Sequence, residues 1–164
     1  MQLIAEKKSQ SDKYDRLRFV RADGSSTECL MPRQGILPHD LIHYVVESAL
    51  PLQHGFLSQL ARGAEAQFVM EAVHDPKNQD VETEAVQAEA IVEGLQSQLW
   101  SGAFDRSYFM DGAITACTAR GKAPFDFSRV TQDLPERMYA SVLELNQRWL
   151  AVPFYGSLEL SFKS

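Results

Sequence analysis

The sequence predicts an α+β domain, with a small antiparallel sheet made by both termini (an N-terminal hairpin plus a C-terminal strand) packed against four or five helices. Three observations carry this expectation. The first 31 residues hold two strand-like runs around a turn signal, and Tyr155 to Phe162 alternates apolar and polar residues. The roughly 120 residues between them repeat apolar positions at helical spacing.

At the N-terminus, Tyr14 to Val20 and Thr27 to Met31 flank Ala22-Asp23-Gly24-Ser25, a strong hairpin signal. Leu17 and Phe19 fall on one face, Arg16 and Arg18 on the other. Gln2 to Glu6 can supply an earlier strand, joined through the polar stretch Lys7 to Lys13. At the other end Leu158, Leu160 and Phe162 share one side, with Ser157, Glu159 and Ser161 opposite. A lone terminal strand cannot satisfy its own backbone groups, so it is expected to join the N-terminal strands.

The helices follow in order. Pro38 suits the first turn of a helix reaching Ala49, with Pro51 as its stop. A short helix runs from Gly55 to Ala61 and ends at Gly63, whereas Ala66 to Val73 fits helix or strand. The longest helix spans Gln79 to Ser101, where Val81, Ala85, Ala88, Val92, Leu95 and Leu99 recur at spacings of four and three. Asn78 or Asp80 can cap its start and Gly102 suits its stop. Its apolar stripe is expected in the domain core, with a dimer interface as the alternative. Tyr108 to Arg120 forms the next helix, with Phe109, Ala113 or Ile114, and Cys117 inward. Phe125 and Phe127 sit on the loop that follows, plugging the core or lining a pocket. Asp133-Leu134-Pro135 opens the last helix, which turns Met138, Val142, Leu145 and Trp149 inward and stops at Pro153.

The bulk properties limit function. A length of 164 residues with 45% hydrophobic content fits a single domain, 1–164. Sixteen basic against twenty-two acidic residues give a net charge of −6, which offers no general attraction for nucleic acid or an anionic membrane surface. No apolar run approaches the roughly 18 residues of a membrane span, and the start lacks a secretory apolar region, so a soluble cytoplasmic protein is expected. Cys29 and Cys117 lie far apart without a C-x-x-C pair and read as buried free thiols. Phosphate-binding glycine motifs and a G-x-S-x-G nucleophile elbow are absent. Arg16, Arg18, Arg21 and Arg33 cluster around the hairpin and read as solvated side chains on an open sheet face.

The chemistry candidates concentrate in LPHDLIHYVVE, residues 37–47. On a helical wheel Leu41, Ile42, Val45, Val46 and Ala49 fall within about 140°, and His39, His43 and Glu47 share an adjacent strip about 80° wide with Asp40 near its edge. Histidines four apart can reach one divalent metal, with a carboxylate as ligand or as base. His39-Asp40-Leu41-Ile42-His43 resembles the H-E-x-x-H metalloprotease signature, with aspartate in place of glutamate. Ordinary helix physics accounts for the same residues: Pro38 in the first turn, Asp40 at the positive helix end, and imidazoles at the border of the buried face. Glu71-Ala72-Val73-His74 supplies one E-x-x-H copy of the kind di-iron bundles use twice. His54 reads as a capping or surface residue.

The run ILPHDLIHYVVESAL, followed by GFLSQLARG, resembles segments of small bacterial proteins without an assigned activity. That resemblance covers about 30 residues and implies only a bacterial soluble domain. The function expected from the sequence is a non-catalytic domain acting through protein or small-ligand contacts and able to form a homodimer. The alternative is a metal-dependent hydrolase with His39, His43 and Glu47 as ligands of a divalent metal and Asp40 as acid or base. A small-molecule pocket edged by Phe125, Phe127 and Trp149 is the third expectation.

Overall fold

The computed structural model describes residues 1–163. Four strands, β1 (Gln2–Glu6), β2 (Tyr14–Val20), β3 (Ser26–Pro32) and β4 (Ser157–Ser161), form one antiparallel sheet in the order β3-β2-β1-β4. The terminal strand does join the N-terminal ones: Leu3 faces Leu160 across β1 and β4, and the Met1 amino group donates to the Phe162 carbonyl at 2.9 Å. The β2–β3 hairpin turns where expected, with Gly24 at φ +85° supplying the left-handed residue. Strand alternation sorts the faces. Leu3, Ala5, Leu17, Phe19, Cys29, Met31 and Leu160 are buried, and their neighbours point to the open face.

Six α-helices lie on the side of the buried face, with α5 packed on α4: α1 (His39–Ala49), α2 (Phe56–Ala61), α3 (Ala66–His74), α4 (Thr83–Ser101), α5 (Arg106–Ala119) and α6 (Leu134–Ala151). Segment 66–74 is helical, which brings the total above the four or five expected. No helix is long and apolar enough to cross a membrane, among the described residues. The predicted stripes of α4 and α6 are buried within the chain. In α5 Ala113 rather than Ile114 turns inward, and both cysteines are buried with free thiols.

Several expectations are corrected. α4 begins at Thr83 rather than near Gln79, without a side-chain cap. Asn78 instead holds the preceding turn, accepting from the Asp80 amide and donating to the Ala72 carbonyl. The hairpin arginines are not simply solvated. Arg33 binds the buried Asp15 carboxylate through both Nε and Nη2, and Arg21 donates to the carbonyls of Leu60 and Ala64 where α2 ends. On α1, Ala49 is exposed, whereas Asp40, His43 and Glu47 are each only 4% exposed. Asp40, His43 and Glu47 are not at a border, because α2 and α4 pack over them while α6 packs elsewhere on the same helix, whereas His39 keeps its expected place at the edge, partly exposed.

Candidate metal centre

Three helices bring the site together. His39 opens α1, where the Pro38 carbonyl accepts the Leu41 and Ile42 amides, and His43 and Glu47 follow at one-turn intervals. Glu89 comes from the middle of α4, in a stretch where Ala85, Val86, Ala88, Ala90, Ile91 and Val92 are all buried. His74 is the last residue of α3, and Arg120 pins that helix end by donating to the carbonyls of Val73 and Asp75.

Glu89 is the hub. Its Oε1 lies 2.9 Å from His39 Nε2 and 3.0 Å from His74 Nε2, and its Oε2 lies 3.1 Å from His43 Nε2. His43 uses its other nitrogen as well, with Nδ1 at 3.1 Å from Glu47 Oε1. Glu47 in turn accepts from the amides of Leu57 and Ser58 at 3.0–3.3 Å, and so caps α2 from a neighbouring helix. That cap requires glycine at its edge. A Cβ on Gly55 would lie 2.6 Å from the Glu47 Cδ atom.

The His39 contact differs in kind from the other two. His39 Nε2 is buried and has no hydrogen-bond partner despite its 2.9 Å separation from Glu89 Oε1, because the approach misses the direction in which a ring N–H would donate. The opposite ring nitrogen, Nδ1, faces the Gln96 Oε1 acceptor at 3.5 Å. A proton on Nδ1 leaves a lone pair on Nε2. A lone pair set against a carboxylate oxygen is unfavourable unless a positive charge lies with them. His39, His74 and Glu89 each offer one ligand atom, all within 4.8 Å of one another.

Electrostatics follow from burial and pairing. Burial alone would push the His43 imidazole down, but Glu47 and Glu89 outweigh it and raise its pKa to about 10. Burial alone would raise the Glu89 carboxyl, and the three imidazoles instead hold it well below the ordinary carboxylate range. Asp40 is raised by its burial, an effect that His39 and His43 only partly offset. Asp40, the three histidines, Phe56 and Glu89 wall a cavity of about 10 Å³. Such a space holds one water-sized sphere.

The sequence-predicted residues are thus divided. His39 joins His74 at one Glu89 oxygen, while His43 and Glu47 bind one another, the other Glu89 oxygen and the α2 amides. Of the E-x-x-H pair, His74 reaches the cluster and Glu71 accepts from Gln67 instead. His54 is exposed, with its amide on Glu84. Of the three pocket aromatics, Trp149 lies apart from the other two. Phe125 packs on Phe127 at 5.0 Å and Phe127 on Phe109 at 5.9 Å, in a row that continues through Phe104 to Tyr139 of α6. Trp149 is ten residues further along α6, about 15 Å away along the axis, beneath the Lys7 ammonium.

Glu89 escaped sequence reasoning, yet it had a signal: it and Gln87 are the only polar residues between Ala85 and Val92, and a carboxylate in so apolar a stretch needs a partner. Comparison of the chain with protein-family models, curated proteins and solved structures returned no match. The functional reading rests on the geometry alone.

Proposed function

We propose that the protein binds one divalent transition-metal ion through His39 Nε2, His74 Nε2 and a Glu89 oxygen, and uses it for hydrolytic chemistry. The observation that carries this reading is the buried His39 Nε2, unpartnered as a hydrogen-bonding group yet set against a carboxylate oxygen that also meets His74. Metal–ligand bonds of about 2.0–2.1 Å in a tetrahedral site separate ligand atoms by about 3.3 Å. The contacts of 2.9 and 3.0 Å to Glu89 need to open by only a few tenths of an ångström.

Two imidazoles and one carboxylate, with no thiolate, suit zinc, iron(II) or manganese and leave a position open for water or substrate. A divalent ion there supplies Lewis-acid activation of water. Asp40, on the wall of the same cavity, is the candidate acceptor for the proton released. The cavity is too small for an organic substrate, so a scissile group would approach from the side of the half-exposed His74.

Protein purified without a histidine tag, stripped with chelator and titrated with zinc, manganese or iron(II), is expected to take up one ion per chain. His39→Ala and His74→Ala should each weaken uptake by more than about 100-fold, beyond the effect typical of an outer partner. Chelator should abolish any hydrolysis of nitrophenyl esters or phosphates. Absence of stoichiometric uptake, or uptake unchanged in a folded His39→Ala/His74→Ala variant, would overturn this reading. It would favour the non-catalytic domain, with the cluster as a hydrogen-bonded network.

A further inference from the structure

We propose that His43 and Glu47 are positioning residues for the metal ligand Glu89, forming a buried relay that fixes one carboxylate oxygen so that the other is aimed at the ion. The inference rests on the metal-site reading above.

A glutamate on a helix has three rotatable side-chain bonds, and nothing intrinsic selects which of its oxygens meets the two histidines. Here one oxygen is committed. Glu89 Oε2 meets His43 Nε2 at 3.1 Å, which leaves Oε1 to face His39 and His74. The His43 ring cannot easily turn away, because its Nδ1 is held by Glu47 at 3.1 Å and Phe56 packs on it at 5.2 Å between ring centres. Phe56 is itself braced by Phe19 of the sheet at 5.8 Å. Glu47 is fixed by the two backbone amides of α2, a rigid and uncharged anchor. The chain of contacts thus runs from the start of α2, through two side chains of α1, to the middle of α4.

Gln96 plays the corresponding part on the other side, facing the ring nitrogen of His39 that points away from Glu89. Orientation of a ligand by a hydrogen bond on its far atom is the usual means of setting both its direction and its basicity. A hydrogen bond on the second oxygen of a carboxylate favours binding through the first oxygen alone. Released from that bond it can swing to bind through both and raise the coordination number.

Cobalt(II) is the probe, because its visible absorption reports coordination number as well as binding. His43→Gln and Glu47→Gln are compared with the unaltered protein and with Val142→Ala, which removes a fully buried side chain on α6 that takes no part in the cluster. Both relay variants are expected to bind cobalt about 10–100-fold more weakly. Their visible band should also lose intensity, as expected when a four-coordinate ion gains a ligand. Val142→Ala should lose stability while keeping both affinity and spectrum, which separates positioning from general support of the fold. Cobalt affinity and spectrum unchanged in folded His43→Gln would overturn the proposal. Should that variant fail to fold, Glu47→Gln decides by the same criterion. Failure of the unaltered protein to bind cobalt would overturn the metal reading itself, and the proposal with it.

Discussion

Replacing Glu47 with alanine tests the buried relay as a structural unit, independent of any ion. Two losses combine. The amides of Leu57 and Ser58 lose their acceptor, which for a helix cap typically costs about 0.5–2 kcal/mol. His43 stays paired with Glu89 but its buried Nδ1 donor loses its acceptor, which costs about 1–3 kcal/mol. Because the two losses share one carboxylate, a total of about 2–4 kcal/mol is expected. Urea unfolding followed by circular dichroism, in chelator at neutral pH, reads this directly. With a slope of about 1–3 kcal/mol per molar urea, the midpoint should fall by about 1 M or more. Glu47→Gln, which keeps an acceptor for the amides, should lose about half as much. The exposed Glu144→Ala should stay within about 0.5 kcal/mol. A Glu47→Ala loss below about 1 kcal/mol would show that the carboxylate is neither the cap nor the counter-charge assigned to it.

Two further predictions concern the surroundings. Gly55→Ala places a methyl group against the Glu47 carboxylate and should destabilise the protein by about 1–3 kcal/mol in the same urea assay, where Gly112→Ala, inside α5 with nothing within 4 Å of its Cβ, should lose no stability. A stability equal to the parent's for Gly55→Ala would mean that the cap has room to move. Burial raises the thiol pKa of both Cys29 and Cys117, so the native protein should hold little thiolate as the pH is raised from 7 to 9. A disulfide reagent should therefore modify the two thiols of the urea-unfolded chain faster with each step of pH and the native thiols hardly at all; rapid native labelling would contradict the packing.

The parts of the fold legible in the sequence are those governed by local periodicity. β4 was readable because Leu158, Leu160 and Phe162 alternate with polar residues, and α6 because Met138, Val142, Leu145 and Trp149 follow a helical repeat. The hairpin was readable because Asp23-Gly24 favours one turn chemistry. Half the candidate site was legible for the same reason, since His39, His43 and Glu47 lie along one helix. Their separation into an imidazole against one Glu89 oxygen and a His43–Glu47 pair behind the other was not, because it depends on which helix covers them. Ala66 to Val73 is too short for its apolar pattern to separate helix from strand, so the helix that carries His74 to a position 35 residues from His39 in sequence is not legible. The start of α4 was less legible: it falls at Thr83 rather than near Gln79, because Asn78 is engaged by hydrogen bonds to the preceding turn and Glu84 accepts from the amides of Gln53 and His54.

Three histidines on one buried carboxylate are hard to explain as a device for folding. Buried ionic groups can often be replaced by apolar residues of similar size with no loss of stability, and sometimes with a gain. The helices around Glu89 already have a continuous apolar core running from the sheet through α1, α4 and α6. An apolar pair at the buried positions 43 and 89 would extend that core without the need to solvate, protonate or pair anything. Hydrogen bonding explains His43, which satisfies two carboxylates, and it explains His74, which meets one oxygen at 3.0 Å. It does not explain His39, whose buried Nε2 faces the same oxygen at an angle unsuited to donation. The proposed ion would account for that angle, because metal ligands aim their lone pairs at a shared point and not at one another.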